Sequence, residues 1–131
     1  MKNNQAPDCT LLARLLKERH ELDDQSLVEV ETAIDDENRA DLKLTLERKK
    51  TPFRPRENYL IQIGQNTPNS SWDSIVDALD ALLGTLIASE YEYRSLPSGE
   101  NVEYGTEKFD VHVEYYRPDV EEAANRILNG N

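Results

Sequence analysis

Cysteine occurs once, at position 9, so the chain can form no internal disulfide and cannot build a thiolate-rich metal site. No apolar run approaches the roughly 20 residues that a bilayer-spanning helix needs. The opening MKNNQAPDCT is polar and lacks the apolar core of a secretion signal, so the expected compartment is the cytosol, or a virion assembled there. Bases are scarce: 15 Lys and Arg stand against 26 Asp and Glu, a formal charge of −11. Phosphate backbones and anionic membranes repel such a chain, so neither nucleic acid nor membrane is an expected partner. No glycine-rich phosphate loop is present, and local spacing assembles no Ser-His-Asp, Cys-His or paired-carboxylate site. Neither a cofactor nor catalytic residues are expected.

What is there is periodic. Leu11, Leu12, Leu15, Leu16 and Leu22 form an apolar stripe on a helix over 11–22, which Asp8 or Thr10 can cap. Val28, Val30, Thr32 and Ile34 alternate with polar residues, as do Leu42, Leu44 and Leu46. With the Asp35–Arg39 turn between them, these two runs predict an antiparallel hairpin. A third strand is expected over 58–64, then a loop from Gly64 to Ser71. The helix over 70–89 has the longest stripe: Trp72, Ile75, Val76, Leu79, Leu82, Leu83, Leu86 and Ile87 keep helical spacing, while Asp73, Asp77 and Asp80 form a wet face. Gly84 inside it costs about 1 kcal/mol against Ala, which points to a close packing contact. Strand signals return at Tyr91–Leu96 and Asn101–Tyr104, and Phe109, Val111, Val113 and Tyr115 alternate with Asp110, His112, Glu114 and Tyr116. Pro118 opens a last helix carrying Val120, Ala123, Ala124, Ile127 and Leu128. The order is α-β-β-β-α-β-β-α. A chain of 131 residues fits one domain, with 1–9 expected to be flexible. The expected class is α+β, a mainly antiparallel sheet with helices packed on one face.

The charge is segregated. Residues 43–56 hold Lys43, Arg48, Lys49, Lys50, Arg54 and Arg56 against Glu47 alone, whereas 1–42 carry 11 acids and 5 bases, and 57–131 carry 14 acids and 4 bases. Pro52 and Pro55 stiffen the basic strip into an arm. Tyr91, Tyr93, Tyr104, Tyr115 and Tyr116 fall in the acidic second half, and tyrosine is over-represented in interfaces. Together these features predict a non-enzymatic interaction or assembly module. It would bind a protein partner or a second copy through Lys49, Lys50, Arg54 and Arg56 and a surface bearing Tyr91, Tyr93 and Tyr104.

Further readings stand beside this one. Asp110, His112 and Glu114 share one strand face and could hold a metal with help from another strand, although strand alternation explains them without one. His20 sits on a helix with no apparent partner. Glu47-Arg48-Lys49 has the acid-x-lysine form of nucleases of the restriction-endonuclease superfamily, and the order of elements is loosely similar. That resemblance implies a metal-dependent nuclease, but the motif ends the second strand here instead of occupying the third, where Gln62 stands in a ligand's place. The element order is also similar to that of small tail-terminator and connector proteins of tailed phages. This second resemblance implies assembly into rings through head-to-tail contacts. An immunity protein, or an inhibitor that mimics nucleic acid to block a basic partner, would use the acidic surface alone.

Overall fold

The computed structural model describes residues 5–34, 39–52, 56–65, 71–88, 99–104 and 107–128. Alternation builds its centre. In β2 (Ala40–Arg48) the even positions Ala40, Leu42, Leu44 and Leu46 are buried while Asp41, Lys43 and Thr45 are half-buried on the other side. The neighbouring β3 (Glu57–Gln65) buries Tyr59, Ile61 and Ile63, and β5 (Glu107–Tyr116) buries Phe109 and Val111. Together with β1 (Leu27–Ile34) and β4 (Gly99–Tyr104) they form one antiparallel sheet in the order β1-β2-β3-β5-β4. Pairing sets Leu42 against Ile63 and Leu44 against Ile61, and then Ile63 against Val111 and Ile61 against Val113. All the apolar rows therefore fall on one side of the sheet.

That side is covered by α1 (Cys9–Arg19) and α2 (Trp72–Ala88). Ser71 starts α2 by accepting from the Ser74 amide at 3.2 Å, and Ile75, Leu79, Leu82 and Leu83 are fully enclosed against the sheet. Burying a leucine side chain contributes about 1.5–3 kcal/mol, so this row supplies a large part of the core. Asp8 caps α1 by accepting from the Leu11 amide at 3.1 Å. The element order α-β-β-β-α-β-β-α and the α+β class agree with the sequence expectation; α3 (Pro118–Leu128) closes the order.

Several details differ. Of the α1 stripe only Leu12 and Leu16 are buried, while Leu11 and Leu15 stay 46% and 50% exposed. The reason is the narrow contact of α1 with the sheet edge at β1, which covers less than the whole stripe. His20 is not isolated. It ends α1 and lies 2.7 Å from Asp80 of α2, which Arg19 also reaches at 3.2 Å, so Asp80 joins the two helices instead of facing water alone. Gly84 makes room for this link, because a Cβ there would come within 3.2 Å of His20 Cε1. Gly64 and Gln65 belong to β3, not to a loop, and Gln65 Oε1 accepts from the Ala40 amide at 3.0 Å. Ala123 through Leu128 of α3 are exposed, so the expected apolar stripe there lacks cover among the described residues. The strand expected at 91–96, residues 35–38 of the first turn and the Val120 side chain lie outside the described residues.

These burials separate two substitutions of the same kind. Leu79→Ala should destabilise the protein by about 2–5 kcal/mol. Leu15→Ala should change stability by about 0.5 kcal/mol or less. Urea unfolding of both variants measures the difference.

Candidate interaction surface

Among the described residues no helix covers the sheet's second side, where Glu29, Glu31, Gln62, His112 and Glu114 are exposed. Period-two alternation places on it the residues that the buried rows leave over, and register aligns them into cross-strand rows. One row is Glu29, Thr45, Leu60 and Glu114; the next is Glu31, Lys43, Gln62 and His112; a third is Ala33, Asp41, Gly64 and Asp110. Across β1, β2, β3 and β5 the carboxylates Glu29, Glu31, Asp41, Glu47, Asp110 and Glu114 stand against two lysines on the same side, Lys43 and Lys108. Neutral residues separate the acids within each row. Asp41 and Asp110 lie two strand spacings apart, roughly 10 Å, and Glu29 and Glu114 three, roughly 14 Å. At about the Debye length of physiological salt, such spacing keeps mutual repulsion small while the fields still add toward solvent.

The face is recessed toward the end that carries Gly64. Ala33, Gly64 and Gly99 carry little or no side chain, and Glu31, Lys43, Gln62 and His112 stand beside them around a groove of about 510 Å³. The Asp41 carboxylate folds across the strand into the space that Gly64 leaves, and a Cβ at 64 would displace it. His112 Nε2 lies 3.1 Å from Glu114 Oε1 on the same strand. Among the described residues no three His, Cys, Asp or Glu side chains come together to hold a metal ion.

A second polar group lies on the covered side, at the end of the sheet away from Gly64. Glu57 is buried, and its Oε2 accepts from the Tyr59 hydroxyl at 2.9 Å and the Tyr115 hydroxyl at 2.7 Å. Arg117 Nε donates to the Tyr115 hydroxyl at 2.7 Å, which ties the start of α3 to the sheet. The two rings lie 4.9 Å apart, tilted. Burial, and then the adjacent Glu57 carboxylate, push the Tyr59 hydroxyl well above its ordinary pKa, against a smaller opposing effect of Arg48. Burial likewise raises Tyr115, where Arg117 acts the other way.

The expected site residues do not form one patch. Lys49 and Lys50 are exposed at the end of β2. Arg56 donates to Glu47 Oε1 at 2.7 Å, so the basic strip is held at its base as the connection between the paired strands β2 and β3. In this arrangement Glu47, the acid of the acid-x-lysine motif, faces a guanidinium. Tyr104 does not stand on the acidic face: its register, shared with Val102 and Phe109, turns it to the covered side, half-buried with its ring 6.4 Å from Phe109. Burial raises its hydroxyl pKa. Tyr115 is likewise on the covered side. Arg54, Tyr91 and Tyr93 lie outside the described residues. Glu29, Glu31, Asp41 and Gly64 were missed as members of one surface. Their alternation was readable, but the order that puts β5 beside β3 was not.

No family model, curated protein or solved structure matches the chain. No helix among the described residues is long and apolar enough to cross a membrane.

The buried tyrosines make stability depend on pH with a definite sign. The folded state holds the Tyr59 proton more tightly than the unfolded chain, whose tyrosines titrate near 10. This contribution is complete below pH about 10 and is lost as pH rises above it. Unfolding free energy should therefore fall more steeply between pH about 9 and 11.5 in the wild type than in Tyr59→Phe. Urea titrations of both proteins across that window measure the two slopes.

Proposed function

We propose that the protein is a non-enzymatic interaction module whose open acidic sheet face docks on a basic protein surface. The observation that supports this most is the contrast between the two sides of one sheet: α1 and α2 cover one, and the other displays carboxylates on β1, β2 and β5 around a recess. Charge complementarity of this kind speeds encounter and fixes orientation. The exposed Lys49 and Lys50, with Arg54 and Arg56 in the same connection, give the molecule a basic patch of its own. A second copy can thus supply the partner surface. A basic patch meeting an acidic face is a heterologous contact, which closes into a ring when the rotation between copies permits. An assembly protein of the phage tail or connector kind is the form of the proposal that uses both surfaces. An immunity protein or inhibitor that covers a basic enzyme site would use the acidic face alone.

Light scattering on a sizing column tests the proposal. The wild type should show a mass several times the 15.0 kDa of one chain at low salt, falling as salt rises. Lys49→Glu combined with Lys50→Glu should weaken that association and flatten its salt dependence, with folding nearly unchanged because exposed charges contribute about 0–1 kcal/mol per pair. A wild type that binds duplex DNA at physiological salt, with an oligomeric state indifferent to the reversal, overturns it.

A further inference from the structure

The two edges of the sheet are built differently. At one edge the pairing of β4 with β5 shifts register between Gly99 and Val102, and Gly99 has φ +129°. Bulges and short, irregular strands keep an exposed edge from pairing with other chains. At the other edge all 8 residues of β1 pair with β2 in unbroken register, without proline or bulge. Among the described residues no strand lies on the outer side of β1. Leu27 and Ile34, at its two ends, are 54% and 64% exposed. A regular edge of this length, with no such guard, is a template for an added strand.

The two sides of this edge differ in chemistry. Toward α1 runs a groove of about 480 Å³ that Val28, Val30 and Ala13 line, with Glu29 and Glu31 of the strand reaching its rim and Arg14 and Lys17 of α1 flanking it. Toward the open face β1 presents Glu29 and Glu31, both exposed and about 7 Å apart, the spacing of alternate residues on any strand. A strand laid along β1 would therefore place one set of alternate side chains against carboxylates. The other set would lie over an apolar groove whose flanking bases repel positive charge.

We infer that β1 takes up an extended segment of a partner protein as an added strand, with Lys or Arg at alternate positions beside Glu29 and Glu31 and apolar residues between them over the α1 groove. Charge selects against β1 of a second copy as the occupant. Antiparallel pairing of two β1 strands about Val30 sets Glu29 of each copy opposite Glu31 of the other, a destabilising cross-strand pair. The inference rests on the acidic face being a protein-binding surface and adds the backbone-paired form of what binds there.

The test uses a capped octapeptide of alternating lysine and valine, and the same peptide N-methylated at every residue, which keeps the charge and loses every backbone donor. The unmethylated peptide should bind at low salt, at least about tenfold more tightly than the methylated one, and should slow amide exchange within Leu27–Ile34 by at least about tenfold. Glu29→Lys combined with Glu31→Lys should weaken binding by a similar factor. Equal binding of both peptides means adhesion to the acidic face alone and overturns strand addition while leaving the proposed function in place. No binding of either peptide, by a wild type that still self-associates in a salt-sensitive way, overturns the inference alone. Protection of the β1 amides on raising protein concentration without peptide makes the occupant a second copy and overturns the choice of partner.

Discussion

Leu42, Leu44 and Leu46 of β2 face Ile63, Ile61 and Tyr59 of β3, and this pairing fixes the character of both sides of the sheet. Because side chains alternate with period two, the same register that gathers the apolar rows under α2 gathers Asp41, Lys43 and Glu47 on the opposite side. A slip of one residue would invert β2, exposing its leucines and burying its charges, at a cost of many kcal/mol. The hydrophobic core and the acidic face are therefore one constraint seen from two sides. Neither can be altered by register without losing the other.

The end of the sheet shows how a charged connection is attached to such a core. Arg48 and Glu57, opposite each other in the β2–β3 register, bracket the basic strip on the covered side, and Glu47 and Arg56 pair on the open side. A buried carboxylate is tolerated only with partners, and Tyr59 and Tyr115 supply them to Glu57. The basic strip thus leaves and re-enters the sheet at a place fixed by packing and by hydrogen bonds. A patch presented from a fixed base loses less conformational freedom on docking than one on a free arm.

Much of the fold was legible in the sequence because β2, β3, β5 and α2 each carry an unmistakable period. Leu42–Leu46 and Phe109–Tyr115 alternate strictly, and the α2 stripe spans its whole length. The site was less legible. Its carboxylates come from three strands, β1, β2 and β5, whose lateral order depends on β5 crossing to lie beside β3, and no local pattern encodes that crossover. Tyr104 misled because tyrosine serves cores and interfaces alike; only its phase relative to Phe109 assigns it to the covered side. The link of His20 with Asp80 joins residues 60 positions apart, and Gly84 gave the one sequence sign of it, as a helix glycine that needed a packing reason.

Docking through the open face, with the basic strip as the complementary surface, predicts where the molecule changes on association. Two-dimensional amide NMR of the wild type, recorded over a range of protein concentrations at low and at high salt, reads this residue by residue. Glu29, Lys43, Gln62, His112 and Lys49–Lys50 should shift with concentration at low salt and stop shifting at high salt, while the buried face of α2 at Leu79 and Leu82 stays unchanged. Shifts confined to α1, α2 or α3, with the open face silent, would contradict the account.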